Sequence, residues 1–441
     1  MNHRKISYRC LIIAIVLLAS HLSGQTAHGK KINSPRVLAL QREIEKGHRE
    51  ALEEFWSEIS KAGAPLVEPI AGDSENFLVT FLWRAKEENR YIVVFPFARP
   101  NPLPHLMTHL AGTDLWYKSY LLRSDSRFEY RLSVNASMEP FAADNPADES
   151  GWVAALQPDP LNSHRFTTPV DQADPKKPQY SDSILELPGA PAQPFVMPRS
   201  ATPKGQVQLI RYESKRLRNA RRVWIYTPPG YKISGQHFAL LLLFDGWQYT
   251  ESIPTPTILD NMIADGVIPP LVAVMVDQVD RFHELAQNPE FSDFISEELI
   301  PWVRSNYDVT NDPERSIIGG LSLGGLAAAY TAMRHPEIFR NVLSQSGSFQ
   351  IVPEGKTELI RQFVETPKLP VRFYLEAGLL ETGDSPSLLH ANRHLRDVLE
   401  AKGYFVNYSE FNGRHDDICW RGSLSTGLIS LLGVHPSLAH H

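Results

Sequence analysis

The 441-residue sequence predicts a fold in two parts. A doubly wound, mostly parallel α/β sheet fills the second half, and a smaller β-sandwich of the immunoglobulin-like kind precedes it. Three observations carry this reading. Apolar strands such as FALLLLFDG (238–246) and PLVAVMV (270–276) alternate with helical stretches, the order that builds a parallel sheet flanked by helices. Between Phe77 and Ser133 the pattern is instead four short β-rich runs, FLVTFLW, YIVVFPF, LWYKSYLL and FEYRLSV, parted by polar turns. The stretch GGLSLGG (319–325) joins an apolar strand to a run of small residues that opens a helix.

From the N-terminus, Arg4, Lys5 and Arg9 precede the apolar run Cys10 to Ala19 and a polar segment through Gly24 and Ala27. Residues 1–27 therefore read as a secretory signal, too short to span a bilayer comfortably, and predict a periplasmic or secreted protein. Its removal leaves Cys419 as the remaining cysteine, so no internal disulfide forms, and Cys419 reads as a buried small apolar residue. Ser34 and Pro35 supply a cap and a first-turn proline for one helix reaching Lys61, ended by Gly63 and Pro65, with Leu52, Phe55, Trp56 and Ile59 on one face. That helix and the β-rich runs make a domain over 34–140. Residues 141–204, rich in proline, aspartate and alanine, read as a linker, and 205–436 as the α/β domain.

The second domain carries helices over about Glu290–Tyr307 and Ser387–Lys402, a helix after Ser322, and the strands RSIIGG, NVLSQSG, VRFYLEAG and FVNYSEF. The charge of the whole chain excludes one partner class. With 44 basic and 50 acidic residues, a net charge of -6 and no basic run, nothing suits a nucleic acid. No metal or cofactor is predicted: His283-Glu284-Leu285 lacks the second histidine of H-E-x-x-H, and no Cys/His pair has zinc spacing.

G-x-S-x-G between a strand and a helix places a serine on a tight turn with its hydroxyl exposed, which makes Ser322 a nucleophile. In such an α/β-hydrolase domain the acid and then the histidine follow the serine. His415, in the loop after FVNYSEF, is the base, whereas His390 and His394 fall in a helical pattern. The loop leaving VRFYLEAG offers Glu381 as the acid, with Asp384 as the alternative. Backbone N–H groups of Leu323 and of Gly246 or Trp247 are placed to stabilise an oxyanion, and the expected reaction is acyl transfer to water.

RRVWIYT, LLLFDGWQY, DRFHEL, SIIGGLSLGGL, NVLSQSGSF, LEAGLLE and HDDICWRG, in that order, resemble the enterochelin esterase family, and LVTFLWR, AGTDLWY, DPLN and SILELPGAPAQP resemble its N-terminal domain. The resemblance implies an esterase that opens the lactones of ferric catecholate siderophores of the enterobactin type, iron arriving with the substrate. It implies the triad Ser322, His415 and Glu381 and an oxyanion side at Asp245-Gly246-Trp247. The resemblance also implies that Arg281, Glu284, Trp420 and Arg421 line or support the substrate cleft. Arg281 either contacts ligand or pairs with Glu284, and Arg421 either contacts ligand or pins the His415 loop. Arg414 stands where the family has a glycine and adds a cation that would draw an anionic substrate. The leader also departs from the family's cytoplasmic pattern. Two other readings remain: an exported carbohydrate or feruloyl esterase, with Trp83, Trp116 and Tyr117 as a sugar platform, and a non-catalytic ligand binder.

Overall fold

The computed structural model describes residues 33–95, 103–135, 155–174, 179–232, 235, 237–383 and 386–433. The leader at 1–27 lies outside them. Ser34 caps the first helix, its Oγ accepting from Val37 N at 3.1 Å. The single predicted helix is two, α1 (Pro35–Glu45) and α2 (Glu50–Ala62). Gly47 between them takes φ +91, a conformation no helix accommodates.

Two antiparallel sheets follow. One has the order β1-β2-β5-β4, from β1 (Leu66–Ile70), β2 (Asp73–Arg84), β4 (Thr108–His109) and β5 (Leu115–Arg123). In the other, β3 (Ile92–Phe95), β6 (Arg127–Val134), β9 (Ser181–Glu186) and β8 (Arg165–Thr167) lie in that order, with β7 (Leu156–Gln157) paired to β6. Val79, Phe81 and Leu122 of the first sheet share one core with Ile92, Val94, Phe128, Tyr130 and Leu185 of the second. Tyr117 is buried and Trp83 and Trp116 pack against these cores, so the three aromatics serve packing rather than an open sugar platform.

The linker expected over 141–204 needs correction, because β7, β8 and β9 all fall inside it and complete the second sheet. Pro158, Pro160 and Pro169 sit between these short strands and Pro188 just after β9, where no ladder hydrogen bond is required of them. The later part does run between the domains. Asn261 Nδ2 donates to the carbonyls of Phe195 and Met197 at 2.8 and 3.0 Å, and Arg199 pairs with Asp265 at 2.7 Å.

The second domain is an eight-stranded sheet in the order β10-β11-β13-β12-β14-β15-β16-β17. Its strands are β10 (Gln206–Ser214), β11 (Asn219–Thr227), β12 (Ala239–Phe244), β13 (Leu271–Val276), β14 (Ser316–Leu321), β15 (Asn341–Gln345), β16 (Arg372–Gly378) and β17 (Phe405–Phe411). β10 and β11 form an antiparallel edge, and every pairing from β13 to β17 is parallel. Helices α3 (Thr255–Ala264), α4 (Arg281–Leu285), α5 (Pro289–Asp293), α6 (Ile300–Asn306), α7 (Leu323–Arg334), α8 (Leu359–Glu365), α9 (Leu388–Ala401) and α10 (Asp417–Leu432) cover it. A π-helical segment, Phe294–Leu299, joins α5 to α6 and makes the predicted 290–307 helix nearly continuous. β12, β13 and β14 are buried throughout, as strands covered on both faces must be, and separate apolar cores lie against the two faces.

Candidate active site

Parallel strands in open α/β sheets deliver their functional groups at their carboxyl ends, and here β12, β14, β16 and β17 do so together. Ser322 is the turn between β14 and α7, at φ 57 and ψ -123, a strained conformation for a residue with a Cβ. Its tightness comes from the two glycines of the pentapeptide. A Cβ on Gly320 would lie 2.6 Å from the carbonyl carbon of Gly324. The backbone is held on both sides: Ser322 N–H donates to Gln345 O at 2.9 Å and Ser322 O accepts from Ser348 N at 2.9 Å. The Ser322 hydroxyl shares a hydrogen bond with Ser348 Oγ at 3.1 Å, a partner the sequence analysis did not pick out.

Glu381 lies just past β16 and is buried. Its Oε2 accepts from Gly378 N at 3.0 Å, and its Oε1 meets His415 Nδ1 at 3.0 Å. That contact leaves Nε2 as the nitrogen able to take a proton. Asp384 lies outside the described residues. The imidazole is walled edge-on by the Trp420 indole at 4.7 Å between centroids. Asp416, beside His415, caps α10 by accepting from Cys419 N at 3.0 Å and accepts from Glu129 N of the first domain at 2.9 Å.

Beneath these groups is a buried polar web. Gln345 Nε2 donates to Trp420 O and to Glu376 Oε1 at 2.9 and 3.1 Å, and Tyr249 donates to Gln345 Oε1 at 2.7 Å. Burial pushes the Glu376 carboxyl up to about 7 even though Ser423, Tyr374 and Gln345 bond to it. The signal was present in the sequence, since a glutamine and a glutamate inside strands buried in the sheet need buried partners.

On the other side of the serine, Asp245 turns β12 at φ 57 and Gly246 begins a helical turn. A Cβ on Gly246 would meet the Met275 backbone at 2.8 Å, so only glycine fits. Gly246 and Leu323 each stand at the amino end of a helical turn, where N–H groups lack intrahelical partners and point outward. Trp247 does not share that role, because its N–H donates to Asp277 Oδ1 at 2.8 Å.

The charged residues expected to meet the substrate, Arg281, Glu284, Arg414 and Arg421, divide differently from expectation. Arg281 pairs bidentately with Asp245 at 2.7 and 2.8 Å and not with Glu284. Glu284 is buried against Arg221 at 2.8 and 2.9 Å, with Val279 N donating to it at 3.1 Å, which makes it a structural counter-ion rather than a ligand contact. Arg414 donates to Glu129 O at 3.1 Å and lies over the Phe95 ring, so its cation faces the first domain. Arg421 donates to Gln193 Oε1 at 3.0 Å, and its guanidinium, whose pKa is lowered by burial and then by the nearby Arg127, sits 5.8 Å from the Phe166 ring.

A sheet carrying a strained serine and a histidine backed by a carboxylate defines the class: the chain is a carboxylic ester hydrolase with an esterase-type hydrolase fold. Residues 214–431 match the putative esterase family model and residues 78–196 the model of the enterochelin esterase N-terminal domain. The chain belongs to the enterochelin esterase family. It is 31% identical over 388 residues to the iron(III) enterobactin esterase of Escherichia coli O6:H1, spanning 81% of this chain and 92% of that one. The iron(III) salmochelin esterase of the same organism is 27% identical over 426 residues, 90% of this chain and 98% of the relative. The crystal structure of the Shigella flexneri enterobactin esterase in the presence of enterobactin superposes with a TM-score of 0.67 at 30% identity, covering 86% of this chain and 97% of that one.

Proposed function

We propose that the protein is an exported serine esterase that hydrolyses the ester bonds of a catecholate siderophore of the enterobactin type and so releases its iron. The observation that carries this is the likeness to the enterobactin esterase of Escherichia coli O6:H1 along 92% of that protein's length, first domain included. In this reading Ser322 Oγ attacks a lactone carbonyl while His415 Nε2 takes its proton. Glu381 orients the ring and stabilises the imidazolium, and the N–H groups of Gly246 and Leu323 receive the oxyanion. His415 then gives that proton to the leaving alkoxide oxygen of the substrate's serine, which departs as a hydroxyl, and water repeats the sequence on the acyl-enzyme. We read the two sheets of the first domain as an immunoglobulin-like sandwich. Export rests on the order of charged, apolar and polar residues at 1–27 and is tested by sequencing the N-terminus of the protein recovered from periplasm.

The substrate is tested by chromatography. Mature protein incubated with ferric or iron-free enterobactin is expected to yield linear dihydroxybenzoyl-serine products, with Ser322→Ala slower by about 10⁴-fold or more. Release of ferulate from a feruloylated sugar, with the trilactone untouched, would move the enzyme to cell-wall esters. Undiminished turnover by Ser322→Ala would remove the mechanism.

A further inference from the structure

We propose that the first domain is a working part of the hydrolytic site: Asp171, acting through Arg222 and Asp277, holds the oxyanion loop, so Asp171 and Arg222 are positioning residues for ester hydrolysis. Asp171 lies in the loop between β8 and β9, within the stretch that matches the N-terminal domain model. It is buried, and its carboxylate meets Arg222 through two parallel bonds of 2.7 Å each. Arg222 stands in β11, and the antiparallel register that sets Val223 opposite Val276 brings it alongside Asp277. Its Nε donates to Asp277 Oδ2 at 2.7 Å, while Asp277 Oδ1 accepts the Trp247 N–H at 2.8 Å. Trp247 follows Gly246, whose N–H is the oxyanion donor of the reading above.

The order of charges explains why the first domain matters to this chain of contacts. A guanidinium fork can hold two carboxylates in one plane, and each fixes it against rotation about the other. Asp277 is pinned through one oxygen and so presents the other to the loop in a single orientation. Without Asp171, Arg222 keeps Asp277 and the Trp224 ring 5.0 Å from its guanidinium but loses the carboxylate that holds the rest of its fork, at the wall of the adjoining 450 Å³ cavity. That cavity is also lined by Asp245, Gln248 and Arg281, so the first-domain loop faces the same space as the oxyanion loop. A donor fixed before reaction stabilises the transition state without reorganising, and loosening it lowers kcat while leaving ground-state binding of a small substrate nearly unchanged.

The inference rests on ester hydrolysis at Ser322 and is independent of which siderophore is the substrate. Its test uses the full chain and p-nitrophenyl acetate, a substrate whose small acyl group isolates the chemistry at Ser322 from any binding of a large ligand by the first domain. Active sites are counted by end-point reaction with a fluorophosphonate, which corrects for misfolded material. Asp171→Asn is expected to lower kcat per counted site about tenfold with KM within about twofold. Arg222→Lys, which keeps the charge but not the fork, is expected to do the same. Unchanged kcat per site in both variants, or a change confined to KM, would overturn the proposal. Activity surviving in Ser322→Ala would instead point to a failure of the underlying site reading.

Discussion

Glu284 and Arg281 stand three residues apart on one short helix and face different partners. Arg281 reaches back to Asp245 beside the nucleophile, and Glu284 closes onto Arg221, whose side chain is fully buried. Removing one partner of a buried ion pair leaves the other charge without compensation, a larger loss than the pair's net worth. Arg221 Nε already has no hydrogen-bond partner in its buried position. Glu284→Ala is therefore expected to cost about 3–5 kcal/mol in urea unfolding while KM for the proposed siderophore substrate, assayed with enterobactin, stays within about twofold among the folded molecules. A rise in KM with stability intact would restore Glu284 to the cleft. Side-chain pairing of this sort was not legible in the sequence. Arg281 has acidic neighbours at Asp280 and Glu284, yet its partner is a residue 36 positions away that only the sheet order brings near.

At the scale of elements, what was legible follows from steric rules that act over a few residues. The pentapeptide Gly320-Leu321-Ser322-Leu323-Gly324 forces β14 and α7 so close that the two glycines touch, and no other residue pair closes that turn as tightly. The contact is backbone against backbone, so it has no flexible side chain to yield. Gly320→Ala is expected to destabilise the protein by about 1–3 kcal/mol and to lower kcat through displacement of Ser322, measured by thermal unfolding and by turnover of p-nitrophenyl acetate. Wild-type values for both would mean that the elbow has slack the geometry denies. The apolar runs of β12 to β16 were legible for a similar reason, since burial on both faces leaves a plain compositional mark. By contrast, β7, β8 and β9 were hidden in proline-rich sequence because β7 and β9 take their register from β6, before that stretch, and β8 takes its from β9. The break at Gly47 was hidden by good helix formers on both sides of it.

For the whole molecule, the question is whether the two domains move as one. Their seam lies directly behind the histidine: Arg127 N donates to Asn412 O at 3.0 Å, Glu129 N to Asp416 Oδ2 at 2.9 Å, and Arg414 to Glu129 O at 3.1 Å. Cys419 is sealed in this seam, its thiol donating to Arg127 O at 3.2 Å. Burial, and then the Asp416 carboxylate, push that thiol well above its ordinary value, so it reacts only when the seam opens. This makes Cys419 a reporter of domain separation. In a Cys10→Ser chain it is the sole thiol, and its modification by a disulfide reagent measures the opening equilibrium wherever reclosing is faster than reaction. Asp416→Ala removes both the cap of α10 and the acceptor for Glu129 N. It is expected to speed labelling by about tenfold or more, while global stability falls by only about 1–2 kcal/mol. Labelling that follows global unfolding in the parent and in Asp416→Ala alike would mean the domains part only when the whole fold is lost. Labelling that runs ahead of unfolding would make the seam a separate hinge behind His415, through which the first domain controls the placement of the base.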